Sequence, residues 1–181
     1  MISFVGKHFL LIDLILLPFV FSLAWAAISM APWVPTRKKD LERINDLADL
    51  KKGETFYELG CGDARVSLYL ARKNPDVQIV AFELAFPLYL LARMRCFFSS
   101  VKNVQIKFAD IFREDLSPAD KIYVFAMKDS LNKKLKEKFL RELRSNTRII
   151  SYAFPMKKWG REIIFSKPSD KVSGIYVYEV K

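Results

Sequence analysis

The sequence predicts an α/β protein with a doubly wound, mostly parallel seven-stranded sheet, a C-terminal antiparallel hairpin and one preceding N-terminal transmembrane helix. Two observations predict this fold. Short apolar segments typical of strands alternate with amphipathic segments typical of helices through most of the 181 residues. A long apolar stretch precedes that alternation. The chain therefore divides into an anchor at 1–31, a linker and pre-domain helix at 32–52, and a domain at 53–181.

The apolar stretch covers residues 9–31, and Asp13 is its only charged residue. A membrane-spanning helix needs about 20 apolar residues, whereas the apolar core of a signal peptide has only about 7–15. A retained anchor is therefore favoured over a cleaved signal, and the role of Asp13 stays open. Basic residues are more frequent after the stretch, at 37–43, than before it. The positive-inside rule then predicts a single-pass membrane protein with its domain on the cytoplasmic side.

The elements of the domain follow from apolar periodicity and from breakers. Pro32 and Pro35 force extended backbone, and Thr36 is placed to cap a helix over 37–50. The predicted strands are 55–59, 78–82, 104–109, 121–126, 147–153, 162–165 and 175–180, and the predicted helices are 64–73, 86–98 and 131–143. The last two strands are separated by a loop too short for a parallel crossover, so they should form an antiparallel pair.

Composition excludes several kinds of chemistry. His8 is the only histidine, so Ser-His-Asp triads and histidine-rich metal sites are excluded from the domain. Cys61 and Cys96 are far apart and form no CxxC motif, so neither a disulfide framework nor a metal site is expected. The net charge of +10 favours anionic partners. The basic run at 131–144 is typical of a solvated face, with anionic lipid as the next interpretation. Nucleic acid is disfavoured because no basic platform interleaved with aromatic residues is present.

The segment YELGCGDAR at 57–65 lies where the first strand turns into the first helix, the place where open α/β sheets bind ligands. Gly60 and Gly62 allow close approach of the backbone to a ligand. Glu83 ends the second strand and can accept hydrogen bonds from ribose hydroxyls, and Asp110 ends the third strand and can accept one from an adenine amine. These features predict a crevice that binds a nucleoside.

The same segment argues against a phosphorylated ligand. Arg65 replaces the third glycine of a dinucleotide motif, and Asp63 would repel a pyrophosphate. Glu58, just before the glycine pair, favours a ligand with a cationic amino group. S-adenosylmethionine has an adenosine, an amino acid and no phosphate, so it meets these requirements.

Four stretches resemble a known family: APWVPT, YELGCGDARV, FADIF followed by KIYVFAMKDSL, and SYAFPMKKW. The chain resembles the class I, seven-strand S-adenosylmethionine-dependent methyltransferases. More narrowly, it looks like the membrane-anchored lysine methyltransferases that include the mitochondrial enzymes modifying the c-subunit of ATP synthase and the ADP/ATP carrier, with prokaryotic relatives. The resemblance implies a Rossmann-like fold.

The resemblance also implies roles for individual residues. Glu58, Gly60 and Gly62 would contact the methionine part of the cofactor. Cys61, a small residue in the same tight turn, is also a predicted cofactor-binding residue. The ribose would be bound by Glu83, and the adenine by Asp110 and Ile111. The chain departs from the family at Ala64, where a glycine is usual, and at Ile111-Phe112, where many relatives have a tryptophan. The fourth strand lacks the Asn/Asp-Pro-Pro-aromatic signature of the N6-adenine and glutamine methylases, which argues against those substrates.

The predicted function is methyl transfer to a lysine side chain of a membrane protein. No histidine base is required, because a neighbouring sulfonium charge and an apolar channel both depress the pKa of a lysine amine. Candidates for that channel come from the pre-domain segment and from the loops after strands four and five: Trp33, Pro35, Thr36, Met127, Phe154, Pro155 and Trp159. Alternatives are a lipid or small-molecule methyltransferase at the membrane, and a non-catalytic membrane-bound scaffold. The acceptor, the number of methyl groups and the oligomeric state are left open.

Overall fold

Seven strands form one sheet in the computed structural model, which describes residues 16–25, 33–157, 159 and 162–181. The strands are β1 Thr55–Leu59, β2 Gln78–Glu83, β3 Val104–Phe108, β4 Lys121–Val124, β5 Arg148–Tyr152, β6 Glu162–Ser166 and β7 Ile175–Glu179. Their order in the sheet is 3-2-1-4-5-7-6. Strands β1 to β5 are mutually parallel, and β7 is antiparallel to both β5 and β6. The predicted parallel sheet with a closing antiparallel hairpin is therefore confirmed.

A 3-10 turn at Lys38–Asp40 and helix α1 Leu41–Ala48 precede the first strand. The later helices are α2 Arg65–Lys73, α3 Phe86–Phe97, α4 Lys128–Ser130 and α5 Lys136–Glu142, with a π-helical turn at Leu131–Leu135 between the last two. Strand β1 lies between β2 and β4. The chain therefore winds outward in one direction from β1 to β3 and in the other from β4 onward. This reversal opens a crevice at the carboxyl ends of β1 and β4.

The core has a layer on each side of the sheet, as the period-2 pattern of the strands requires. On one side, Tyr57 and Leu59 pack with Leu135 and Phe139 beneath α5. On the other side, Phe56 and Ile79 pack with residues of α1 and α2. Helix α3 packs on this second side through Ala92, which contacts Ala81 of β2 in a smaller cluster near the sheet edge.

Two predicted helices differ from those observed. The helix predicted over 37–50 is a 3-10 turn followed by the shorter α1, which ends at Asp49 in a left-handed conformation (φ 47°). Thr36 does not cap it, because the Thr36 hydroxyl instead shares a 2.7 Å hydrogen bond with the hydroxyl of Tyr123. The helix predicted over 131–143 begins earlier, at Lys128.

The predicted membrane anchor is only partly within the described residues. Residues 16–25 are helical, and the rest of the stretch at 9–31, including Asp13, lies outside the described part of the chain. Among the residues that the structure describes, no helix combines the length and the apolar character needed to cross a bilayer. Residues 16–25 contact the domain at α3, where the amide of Phe86 donates to the Ser22 hydroxyl (2.8 Å) and the rings of Phe19 and Phe86 meet edge to face.

Candidate functional site

A cavity lies at the carboxyl edge of the sheet, where the strand order reverses. It holds about 870 Å³ of space continuous with solvent, within the size range of small-molecule sites. The turn after β1, the ends of β2 and β4, the turn after β3 and the extended residues 33–36 form its walls. All seven residues predicted to bind the cofactor line it: Glu58, Gly60, Cys61, Gly62, Glu83, Asp110 and Ile111. Whether each contacts the cofactor stays a prediction, but the structure brings them together.

The turn after β1 is held in a conformation that favours glycine. Gly60 and Gly62 have φ values of +79° and +54°. The amides of Gly60 and Cys61 both donate to the carbonyl of Phe82 on β2, at 3.0 and 2.8 Å. A Cβ on Gly62 would lie 2.5 Å from the Trp33 indole nitrogen, so the indole covers this face of the turn. The turn therefore presents backbone to the cavity, as a closely bound ligand requires.

Glu83 connects this turn to the end of β2. One carboxylate oxygen accepts from the Gly62 amide (2.7 Å) and the other accepts from the Ala85 amide (2.8 Å). Burial raises the pKa of Glu83, and these two amide donors oppose that shift. Each carboxylate oxygen has a second lone pair. A cavity-lining carboxylate fixed in this way can also accept hydrogen bonds from a pair of vicinal hydroxyls.

Glu58 is the most deeply buried carboxylate of the cavity, with 2% of its surface exposed. Its Oε2 accepts from the amide (2.9 Å) and the hydroxyl (2.5 Å) of Ser67 on α2. Burial raises the pKa of Glu58 to about 8, although the Ser67 donors lower it, and the nearby charges of Asp63 and Glu83 raise it further. Glu58 is therefore mostly protonated at neutral pH, and a cationic group in the cavity would favour its ionised form.

Asp63, which the sequence predicts to repel a pyrophosphate, is ion-paired in the structure. It forms ion pairs with Arg65 (2.8 Å) and with Arg95 of α3. Burial alone would raise the pKa of Asp63, but the two guanidinium groups lower it. Because the two guanidinium groups compensate its charge, Asp63 repels a pyrophosphate less than an unpaired carboxylate would. Repulsion of a phosphate is then expected mainly from the carboxylates of Glu83 and Asp110, which line the cavity without such pairing to two arginines.

Asp110 and Ile111 follow β3 and form the far wall. One oxygen of Asp110 accepts from the amide of Phe112 at 3.0 Å, which fixes the turn. Ile111 is buried and lines the cavity together with Leu84. A flat aromatic base would fit between apolar walls of this kind, with a carboxylate at its edge.

The predicted channel residues separate into two groups. Trp33, Pro35 and Thr36 line the cavity, whereas Met127, Phe154, Pro155 and Trp159 are not among the described residues that do. The ring of Trp159 instead meets Phe139 and Tyr178 edge to face over the core. Their role in a substrate channel stays a prediction.

Sequence reasoning missed two aromatic residues that line the cavity, Tyr123 and Phe125. The cause is the length of β4, which ends at Val124 rather than at residue 126. The residue that follows the strand is therefore Phe125, and Met127 lies farther on and is about half exposed. In the sequence, the apolar run KIYVFAM, which contains Phe125, was the signal that could have identified this residue.

Two other features bear on the chemistry. Cys61 and Cys96 are free, and burial raises the pKa of the Cys61 thiol well above its usual range, which argues against Cys61 as a nucleophile. In the described part of the chain, no cluster of three or more His, Cys, Asp or Glu side chains could hold a metal ion.

Three comparisons identify relatives. Residues 58–163 match the family model described as ANTKMT methyltransferase domain. The chain is 26% identical over 156 residues to the protein-lysine N-methyltransferase of Saccharolobus islandicus, an alignment that covers 82% of this chain and 93% of that protein. It is 24% identical over 142 residues to a human lysine N-methyltransferase named for the c-subunit of ATP synthase, with coverage of 78% of this chain and 59% of the human protein.

Solved structures agree with the fold. An RNA methyltransferase from Salinibacter ruber, in complex with S-adenosyl-L-homocysteine, superposes with a TM-score of 0.75 at 26% identity, over 81% of this chain and 94% of that one. A precorrin-6y C5,15-methyltransferase from Geobacter metallireducens shares the fold with a TM-score of 0.64 at 16% identity, over 81% of this chain and 90% of that one. The glycine turn, the buried Glu83 and the acidic lining, which disfavours phosphate, fit S-adenosylmethionine. The chain belongs to the ANTKMT methyltransferase domain family, and it is a class I S-adenosylmethionine-dependent methyltransferase.

Proposed function

We propose that the protein methylates a lysine side chain of a membrane protein, from the cytoplasmic side of a membrane in which its own N-terminal segment is anchored. The observation that supports this most directly is the composition of the cavity. Four acidic side chains line it, at Glu58, Asp63, Glu83 and Asp110, and Arg65, the one arginine among its described lining residues, is paired with Asp63. A cavity with this charge favours a cationic acceptor over a phosphodiester.

The mouth of the cavity suits the long apolar stem of a lysine. Trp33, Pro35 and Phe125 contribute apolar and aromatic surface on the side of residues 33–36. The hydrogen bond between Thr36 and Tyr123 holds this segment against the sheet. An apolar entrance lowers the pKa of an entering ammonium, because desolvation disfavours the charged form. The acceptor can therefore lose its proton to solvent before it reaches the reacting position.

When bound, S-adenosylmethionine supplies an electrophilic methyl group on a sulfonium, and transfer requires an in-line approach of the amine. The chain's own residues then act by positioning. The turn at Gly60–Gly62 and the carboxylate of Glu83 would hold the nucleoside, and the walls at Trp33 and Phe125 would align the acceptor. Positioning of this kind can account for a large share of a barrier reduction. No general base is needed within the cavity.

The membrane setting is supported by the residues next to the cavity. Leu23, from the apolar helical residues 16–25, lines the cavity beside residues 33–36. A segment of the predicted anchor therefore lies at the entrance. An anchored enzyme meets acceptors in the same bilayer at a raised effective concentration. The names of the human and Saccharolobus relatives, which specify lysine and in one case ATP synthase, agree with a lysine of a membrane protein as acceptor.

The test is transfer of a labelled methyl group from S-adenosylmethionine to proteins of a membrane fraction, followed by peptide mapping. The full chain is compared with Glu83→Gln and with Glu137→Gln, an exposed glutamate on α5 that serves as the matched control. We expect label on lysine in membrane proteins with the parent and the control, and its loss with Glu83→Gln. Label on soluble proteins alone would refute the membrane-protein acceptor.

The same experiment separates the alternatives. Label that extracts into organic solvent would indicate a lipid or small-molecule acceptor. The net charge of +10 and the likeness to the Salinibacter ruber enzyme give RNA a specific argument, and label on RNA would establish it. Against RNA, the basic run at 131–144 is partly neutralised: Lys138 and Arg141 pair with Glu142, and Arg144 pairs with Asp120. Absence of heat on titration with S-adenosylmethionine would indicate a scaffold without catalysis.

A further inference from the structure

The outward face of helix α3 is apolar although nothing in the described part of the chain covers most of it. Its inner face, through Leu88 and Ala92, packs on the sheet. The exposed apolar side chains lie on the opposite arc of the helix and at its end: Phe86, Leu90, Leu91, Met94, Phe97 and Phe98. The last two are 81% and 80% exposed. Exposed apolar surface of this kind on one helix marks an interaction site.

The charge of this part of the chain is basic. Residues 84–109, which include all of α3 and β3, contain Arg93, Arg95, Lys102 and Lys107 and no acidic residue, although Arg95 pairs with Asp63 and Lys107 with Glu114. A helix with bulky apolar side chains outward and basic residues beside them has the composition of an interfacial helix. Such a helix lies in the plane of a bilayer and is attracted by anionic lipid.

The apolar face is also continuous with residues 16–25. The ring of Phe19 contacts that of Phe86, and Phe86 in turn contacts Phe108 at the end of β3. Residues 16–25 expose large apolar side chains of their own, among them Val20 at 60% and Phe21 at 70%. The two apolar surfaces therefore join at the rim of the cavity, where Leu23 and Ala85 are both lining residues.

We propose that the outward face of α3 docks on the surface of an anionic bilayer and thereby holds the mouth of the cavity at the level of the lipid headgroups. This inference adds a second membrane contact to the proposed anchor and rests on the proposed membrane setting, but not on the identity of the acceptor. It predicts that acceptor lysines lie within the headgroup region rather than far from the membrane. It also assigns lipid contact to α3 rather than to the basic run at 131–144, which lies with α5 on the other side of the sheet.

The test places an environment-sensitive fluorophore on the full chain in proteoliposomes. Met94→Cys reports on the α3 face, and Leu140→Cys, 63% exposed on α5, is the matched control. Both are made with Cys96→Ala, and the buried Cys61 thiol does not compete for the label. We expect quenching by lipids labelled near the headgroup at position 94 but not at position 140, and stronger quenching with anionic than with neutral lipid.

A second variant makes the result quantitative. Phe97→Glu with Phe98→Glu should lower the ratio of docked to undocked protein about tenfold or more, because burial of even one phenylalanine side chain corresponds to at least that factor. Leu140→Glu is the control and should change nothing. Quenching by aqueous iodide at position 94, quenching by lipid at position 140, or a signal at position 94 that depends on protein concentration and indicates a second copy would each overturn the proposal. Cofactor binding and methyl transfer are measured on the same samples, so failure of docking and failure of the proposed activity are distinguishable.

Discussion

The raised pKa of Glu58 predicts a specific dependence of stability on pH. The carboxyl is almost fully buried, and its pKa is raised from its usual 4.5 to about 8. Since the folded protein holds this proton to higher pH than the unfolded chain, unfolding releases a proton between about pH 4.5 and pH 8. Stability from this group is therefore full at low pH and is lost as pH rises toward 8.

Glu58→Gln removes that loss while keeping an oxygen that can accept from Ser67. Between pH 5 and pH 9, the pH dependence acts from pH 5 to the folded pKa of about 8, which is about three pH units. At about 1.36 kcal/mol per unit, the free energy of unfolding of the variant relative to the parent should be about 4 kcal/mol higher at pH 9 than at pH 5. The assay is urea unfolding of the full chain in detergent at pH 5, 6, 7, 8 and 9, without cofactor. Glu137→Gln controls for removal of a carboxylate from the surface.

Two opposing effects act on this carboxyl. The amide and hydroxyl of Ser67 both favour the ionised carboxylate, and burial opposes them. If the two hydrogen bonds outweigh burial, the carboxylate is ionised throughout this range. The difference between parent and Glu58→Gln would then be the same at every pH, and the assignment of a mostly protonated Glu58 would be refuted.

Three further predictions concern the cavity walls. Glu83→Gln should weaken S-adenosylmethionine binding about tenfold to a hundredfold in calorimetry, since hydrogen bonds to a charged group contribute about 1.5–3 kcal/mol; unchanged affinity would remove Glu83 from the site. Gly62→Ala should destabilise the chain, and Trp33→Ala should relieve part of that effect, because the new Cβ would meet the indole. A double-mutant cycle with no coupling would contradict this contact. Tyr123→Phe should cost about 1–3 kcal/mol in urea unfolding because it leaves the buried Thr36 hydroxyl without its partner, and a change within error would show that water replaces it.

Much of the site could be predicted because its residues stand at the carboxyl ends of parallel strands. Glu83 is the last residue of β2, and Asp110 follows the end of β3 by two positions. In a parallel sheet these ends meet at one edge, whatever the exact packing of the helices. A sequence pattern that locates strand ends therefore also locates side chains of this kind.

The contacts that the sequence did not predict depend on facts that no local pattern contains. Phe125, rather than Met127, directly follows β4 because this strand ends two residues earlier than predicted, and strand ends are decided by pairing with β1 and β5. Trp159 packs on Phe139 and Tyr178 rather than beside the cavity, because the chain after β5 crosses toward β7 and its core. The pairing of Asp63 with Arg95 joins a turn to a helix 32 residues away. Charge compensation at that distance cannot be deduced from the motif alone.

The net charge of the chain and the charge of its cavity have opposite signs, and one function is compatible with both. The chain as a whole is strongly basic, with a net charge of +10, but the cavity is lined by Glu58, Glu83 and Asp110. A basic exterior draws the protein toward an anionic surface, since long-range attraction follows the net charge. Ligands that enter the cavity instead meet the local charge of its acidic lining, which favours cationic groups and disfavours phosphate. An acceptor that is cationic itself but located at an anionic bilayer satisfies both preferences, whereas free RNA satisfies only the first. The contrast between exterior and interior therefore favours a lysine at a membrane surface, and a salt dependence that weakens membrane association without weakening cofactor binding is the expected signature.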